Sequence, residues 1–143
     1  MLFCDTSTLA KYYVQEAESV AVQARRDADG TVVASHLARA EIMAVFHHRF
    51  RERIWSKNEF EAVIRQFSRD DIGGYWSWAP IDSVIVEQAV KIYTTLPENV
   101  FLRASDCLHL VTALNHGFIE ICTHDRHQIS AASALGLRVL TIT

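Results

Sequence analysis

Short apolar runs alternate along this chain with longer segments in which apolar residues recur every three or four positions. The first run, Leu2-Phe3-Cys4, reads as a strand. Asp5-Thr6-Ser7-Thr8 then supplies helix-capping side chains for a short helix through Leu9 and Tyr13. Residues 19–28 read as a second helix, stopped by the turn signal Asp29-Gly30. The β-branched run Thr31-Val32-Val33-Ala34-Ser35 is the second strand. Helical spacing returns over residues 37–53. Ser56 with Glu59 three residues on is a capping box for the next helix, which carries Phe60, Val63, Ile64 and Phe67. Gly73-Gly74 ends that helix, and residues 75–81 form a third strand. Asp82 or Ser83 caps a fifth helix that runs to about Leu96 and closes at Pro97. Residues 103–116 are apolar almost all round, the pattern of a buried helix. Residues 119–123 and 138–142 are strands four and five, with a short helix over 128–135 between them.

Strands alternating with helices or helix pairs predict a mostly parallel five-stranded sheet covered on both faces. No linker or internal repeat interrupts the pattern, so residues 1–143 read as one α/β domain with three α/β/α layers. In such sheets the chemistry lies outside the carboxyl ends of the strands, where strand order reverses. An order of 3-2-1-4-5 puts strands one and four at that point.

Composition narrows the function. Half the residues are hydrophobic and 22% are charged, which excludes a disordered or low-complexity chain. Lys plus Arg number 14 and Asp plus Glu 17, a net charge of −3. No overall basic field exists to grip nucleic acid, so any such contact needs a local patch or a bound cation. No apolar run approaches the ~20 residues of a membrane span, and the N-terminus lacks a basic leader. Three widely spaced cysteines without a C-x-x-C pair fit reduced thiols in a cytoplasmic protein.

Four acids stand out. Asp5 ends strand one and Asp125 follows strand four, so the proposed order brings both to one crevice; taken singly they read as a helix cap and a turn residue. Glu41 and Asp106 lie on apolar helix stripes, where an acid costs several kcal/mol unless paired or bound to a cation. Arg39 is two positions from Glu41 and cannot face it, whereas Arg103 can neutralise Asp106. Carboxylates without matched His or Cys ligands favour Mg²⁺, or Mn²⁺, over zinc. Ser7 and Thr123 are placed to hold waters or a phosphate oxygen, or simply to cap a helix and end a strand.

With Asp5-Thr6-Ser7-x-Leu9, Glu41 after Ser35, Arg103-Ala104-x-Asp106-x-Leu108-His109-Leu110 and Thr123-His124-Asp125 in this order, the chain resembles the PIN-domain ribonucleases. The likeness is to the small VapC-like toxins of bacterial and archaeal toxin–antitoxin pairs. It extends through Ala131-Ala132-x-Ala134-Leu135-Gly136-Leu137 and so spans the whole length. The resemblance implies that Asp5, Glu41, Asp106 and Asp125 form the catalytic metal site of a Mg²⁺-dependent endoribonuclease, with Mn²⁺ as substitute. RNA is hydrolysed there by a metal-activated water. It also implies a cognate antitoxin and a homodimer. One departure is His127-Gln128-Ile129, where relatives often carry a basic residue and an aromatic or Leu; we expect it to alter surface and packing, not the metal site.

RNA approaching an acidic pocket needs basic groups at the rim, and Arg103 is the first candidate, before Arg39, Arg126 and Lys11. His109, His124 and His127 lie near the acids but read as solvated or core histidines. Trp76 and Trp78 share one face of strand three and serve edge packing or base stacking. The aromatic helix hairpin around Phe46, Phe50, Trp55, Phe60 and Phe67 either packs inward or, as in the resembling toxins, helps form an antitoxin groove. A phosphatase of the haloacid-dehalogenase type needs a second acid where Ser7 stands. A non-catalytic RNA- or protein-binding module of the same fold is the alternative function.

Overall fold

The computed structural model describes residues 1–143, the side chain of Asp29 excepted. In chain order the elements are β1 (Leu2–Phe3), α1 (Thr6–Ala10), α2 (Ser19–Asp29), β2 (Val32–Ser35), α3 (His36–Arg51), α4 (Lys57–Ile72), β3 (Trp76–Ala79), α5 (Ser83–Thr95), α6 (Ala104–Asn115), β4 (Glu120–Cys122), α7 (Arg126–Ala134) and β5 (Arg138–Leu140). All ladders are parallel. Leu2 pairs with Val32, Val32 with Trp76, and Glu120 with Arg138. A bridge between Cys4 and Cys122, with Asp5 N–H donating to the Cys122 carbonyl at 3.1 Å, joins β1 to β4. The resulting order is 3-2-1-4-5, as the sequence pattern predicts.

The period-two alternation of strand side chains sorts the core into two layers. Phe3, Val33 and Ile121 point to one face, where Ile85, Ala89, Leu110, Val111 and Ala131 of α5, α6 and α7 cover them. Leu2, Val32, Ala34 and Cys122 point to the other, under Leu9, Ala38, Ile42, Phe46 and Phe67. Burial on both faces is why the strands read as continuous apolar runs.

Local signals set most boundaries. Ser56 and Glu59 form the capping box reciprocally, and Asp82 caps α5. Several ends differ from expectation by one to three residues, and two of these differences have a visible local cause. Helix α7 starts at Arg126 rather than 128, because Asp125 Oδ1 accepts the N–H groups of His127 and Gln128 and so caps it. Strand β5 stops at Leu140, since Thr141 and Ile142 lie beyond the β4 partner strand; Ile142 O bonds to His124 Nε2 instead, at 2.8 Å.

The aromatic hairpin packs largely inward. Phe46 and Phe67 are buried and meet Tyr13 edge-on, while Phe50 and Phe60 stack half-buried at 4.7 Å. Trp76 is 5% exposed and donates to Tyr13 Oη, and Trp78 donates to Asp71 Oδ1. Both tryptophans therefore serve packing rather than base stacking. Among the described residues no helix is long and apolar enough to cross a membrane.

Candidate functional site

The carboxyl ends of β1 and β4 meet at Asp5. Its carboxylate caps α1 by accepting Thr8 N–H at 3.2 Å, and it accepts the hydroxyls of Ser7 at 2.7 Å and Thr123 at 2.8 Å. Asp5 is 3% exposed, and among the described residues no ion pair involves it. Burial pushes its pKa above the usual carboxylate range, against the opposing pull of the Ser7, Thr123 and Thr8 hydrogen bonds and the His109 charge.

Thr123 links two acids at once. Its fully buried hydroxyl donates to Asp5 and accepts Asp125 N–H at 3.1 Å. Ser7 mirrors it, donating to Asp5 and accepting His124 N–H at 3.0 Å. These hydroxyls hold Asp5 in place in this arrangement, and Thr123 is shut away from solvent.

Glu41 reaches the site from α3, half-buried. Its Oε1 accepts the Thr6 hydroxyl at 2.9 Å and Nε2–H of His109 from α6. Burial alone would raise the Glu41 pKa, but the His109 hydrogen bond and charge, helped by Thr6 and Arg103, hold it below the ordinary range. Since a carboxylate only accepts, His109 Nε2 carries a proton. Nδ1 is buried without a partner, and His109 is 2% exposed.

Asp106 lies in the first turn of α6, where the helix dipole favours an anion. The exposed Arg103 side chain bridges the remaining two acids. Nε donates to Asp106 Oδ2 at 2.9 Å and Nη2 to Asp125 Oδ2 at 3.3 Å. Asp106, then Asp125 and Glu41, raise the Arg103 pKa further above its already basic value.

Three of the four nominated acids thus enter one bonded network, in which Thr123 joins Asp5 to Asp125 and Arg103 joins Asp125 to Asp106. Glu41 stands beside it, bonded to Thr6 and to His109 of the Asp106 helix. Two other basic candidates are engaged elsewhere, Lys11 with Glu16 and Glu18, and Arg39 with Asp71. The pairing of His109 with Glu41 was not expected. Its only sequence signal is that His109 is three residues after Asp106 and shares its helix face. In the departing segment, His127 packs edge-on against Phe101, while fully buried Gln128 reaches Asp106 O at 3.4 Å.

Among the described residues no three His, Cys, Asp or Glu side chains converge as a ready-made metal cluster. Arg103 lies between two of the acids and His109 holds a third. The donors are nonetheless all oxygen, carboxylates flanked by hydroxyls, which is the chemistry a hard divalent cation requires. Buried Asp5, with only neutral side chains hydrogen-bonded to it, is a carboxylate that a cation would relieve. The donor set fits such an ion.

The sequence profile of the PIN domain matches residues 2–134. No curated protein matches the chain. Among solved structures, FitAcB from Neisseria gonorrhoeae superposes with a TM-score of 0.78 at 15% identity, covering 98% of this chain and 96% of that one. VapC20 of Mycobacterium tuberculosis, a sarcin-ricin loop cleaving toxin, gives 0.69 at 16% identity over 92% and 95%. A toxin–antitoxin complex from Klebsiella pneumoniae gives 0.60 at 14% identity over 99% and 97%.

Proposed function

The chain belongs to the PIN-domain family, and from that premise we propose that it is a metal-dependent endoribonuclease acting as the toxin of a toxin–antitoxin pair. The observation that carries the proposal is the bonded network of Asp5, Asp106 and Asp125 at the carboxyl ends of β1 and β4, with Glu41 tied to the Asp106 helix through His109.

The reaction is hydrolysis of an RNA phosphodiester. Asp5, Glu41, Asp106 and Asp125 would hold a Mg²⁺ or Mn²⁺ ion, with Glu41 at the half-buried edge; the ion would supply activation of water and offset of charge on the phosphate. Ser7 and Thr123 fix the Asp5 carboxylate, so it needs no reorganisation during the reaction. His109 orients Glu41 and keeps it ionised. Arg103, exposed at the rim of an otherwise acidic site, is the residue that meets the RNA phosphate.

The partner is an antitoxin. A cleft lined by Tyr12, Tyr13, Gln23, Ala62, Val63 and Gln66, between the α1–α2 region and α4, offers it a mixed aromatic and polar seat. The protein works as a homodimer in the cytoplasm, where its RNA substrate is.

The test is incubation of purified protein with structured RNA in Mg²⁺ or in EDTA, alongside Asp106→Asn. We expect Mg²⁺-dependent cleavage that the nearly isosteric variant loses while retaining its fold. Cleavage unaffected by EDTA, or RNA binding without cleavage, would overturn the reading; the second result would leave a binding module.

A further inference from the structure

The two-point contact of Arg103 has a chemical consequence. Its guanidinium touches one oxygen of Asp106, in the first turn of α6, and one of Asp125, the N-cap of α7. It thereby supplies the positive charge that these two carboxylates need when they face each other. A divalent cation held by Asp106 and Asp125 would draw on the same two carboxylates, each of which already has one oxygen engaged by Arg103.

We propose that Arg103 is a built-in counter-ion that competes directly with the divalent cation for Asp106 and Asp125, and so sets the cation affinity of the site. The inference rests on the metal-dependent reading above. The arrangement suits exchange. The Arg103 side chain is 54% exposed, so it can leave the carboxylates without being stranded in the interior. Asp125 keeps its backbone anchor at the cap of α7 after Arg103 departs, and Asp106 keeps its place in the first turn of α6, where the helix dipole favours an anion. No other Lys or Arg is paired with either acid among the described residues.

Competition makes an unusual prediction: removing an active-site arginine tightens metal binding. Mn²⁺ binding is measured by titration calorimetry on the wild type, Arg103→Gln, Arg103→Lys and Asp106→Asn, with thermal melts of each without metal. Lys keeps the charge, but its compact ammonium does not span two carboxylates. We expect Mn²⁺ to bind both Arg103 variants about threefold to tenfold more tightly, the worth of an exposed two-point ion pair. The metal-free variants should melt lower, because Asp106 and Asp125 then repel. A purely structural ion pair would lower the melting temperature without tightening Mn²⁺. Unchanged or weaker Mn²⁺ binding in both variants would overturn the proposal. Tightening in Arg103→Gln alone would also overturn it, by assigning the effect to the long-range field rather than to occupancy. Asp106→Asn separates the two levels. If it binds Mn²⁺ as the wild type does, or if no variant binds at all, the metal site itself fails and this inference with it.

Discussion

His109→Leu tests the coupling between the core and the site. The imidazole is buried, gives Nε2–H to Glu41, and leaves Nδ1 without a partner. Losing a hydrogen bond to a charged acceptor costs about 1.5–3 kcal/mol. Removing an unsatisfied buried nitrogen returns about 1–3 kcal/mol, and Leu fills nearly the same volume. Glu41 is half-buried and can turn to water instead of remaining buried and bare. The terms nearly cancel, leaving a net change within about 1.5 kcal/mol, or a shift under about 5 °C in melting temperature. Function should respond differently. Without His109, burial raises the Glu41 pKa against only Thr6 and Arg103, and the carboxylate loses its orientation. Loss of a group that orients a metal-holding carboxylate costs about 10–100-fold in affinity or activity. Circular-dichroism melts, Mn²⁺ calorimetry and RNA cleavage read the two effects separately. His109→Gln, which keeps an N–H donor, should recover part of the loss. A fall of more than about 10 °C with unchanged Mn²⁺ affinity would refute the reasoning and make His109 a core residue only.

Three further outcomes follow from the surroundings of Asp5, Glu41 and Phe46. An acid whose pKa is raised by folding favours its neutral form in the folded state, so Asp5 withdraws stability as pH rises from about 4 through its raised value. Asp5→Asn, which retains capping ability, should therefore melt a few degrees higher than the metal-free wild type at pH 7, and should lose the stabilisation that millimolar Mg²⁺ gives the wild type. A lower melting point at pH 7 would refute it. Glu41 acts in the opposite sense: its depressed pKa contributes stability above the ordinary value that is lost as pH falls, so Glu41→Gln should flatten the acid limb of the stability profile. In the hairpin, Phe46→Ala should cost about 3–5 kcal/mol by denaturant unfolding, because Phe46 sits fully buried among Tyr13, Trp55 and Phe67. A cost below 1 kcal/mol would mean that this aromatic cluster is not core.

Short-range chemistry is legible directly in the order of the residues. Ser56 with Glu59 and the Asp82 cap announce helix starts because a side chain reaches backbone N–H groups only two or three residues ahead. The apolar β-runs announce a sheet buried on both faces, and strand–helix alternation leaves few topologies to choose from. Asp106 is legible as a buried acid, with Arg103 as its neighbour, because three residues along a helix bring them together. Tertiary structure decided the rest. Glu41 and His109 are 68 positions apart and meet only because α3 and α6 approach each other over the strand ends. The second hand of Arg103, on Asp125, requires the starts of α6 and α7 to face each other, and that follows from placing β4 beside β1. The bond from Thr123 to Asp5 follows from the same placement, whereas the Asp125 cap of α7 is short-range chemistry, reaching N–H groups two and three residues ahead. Periodicity reports which face of an element is buried. It is silent on which residue of another element lies opposite, because that depends on strand order and helix packing summed over the whole chain.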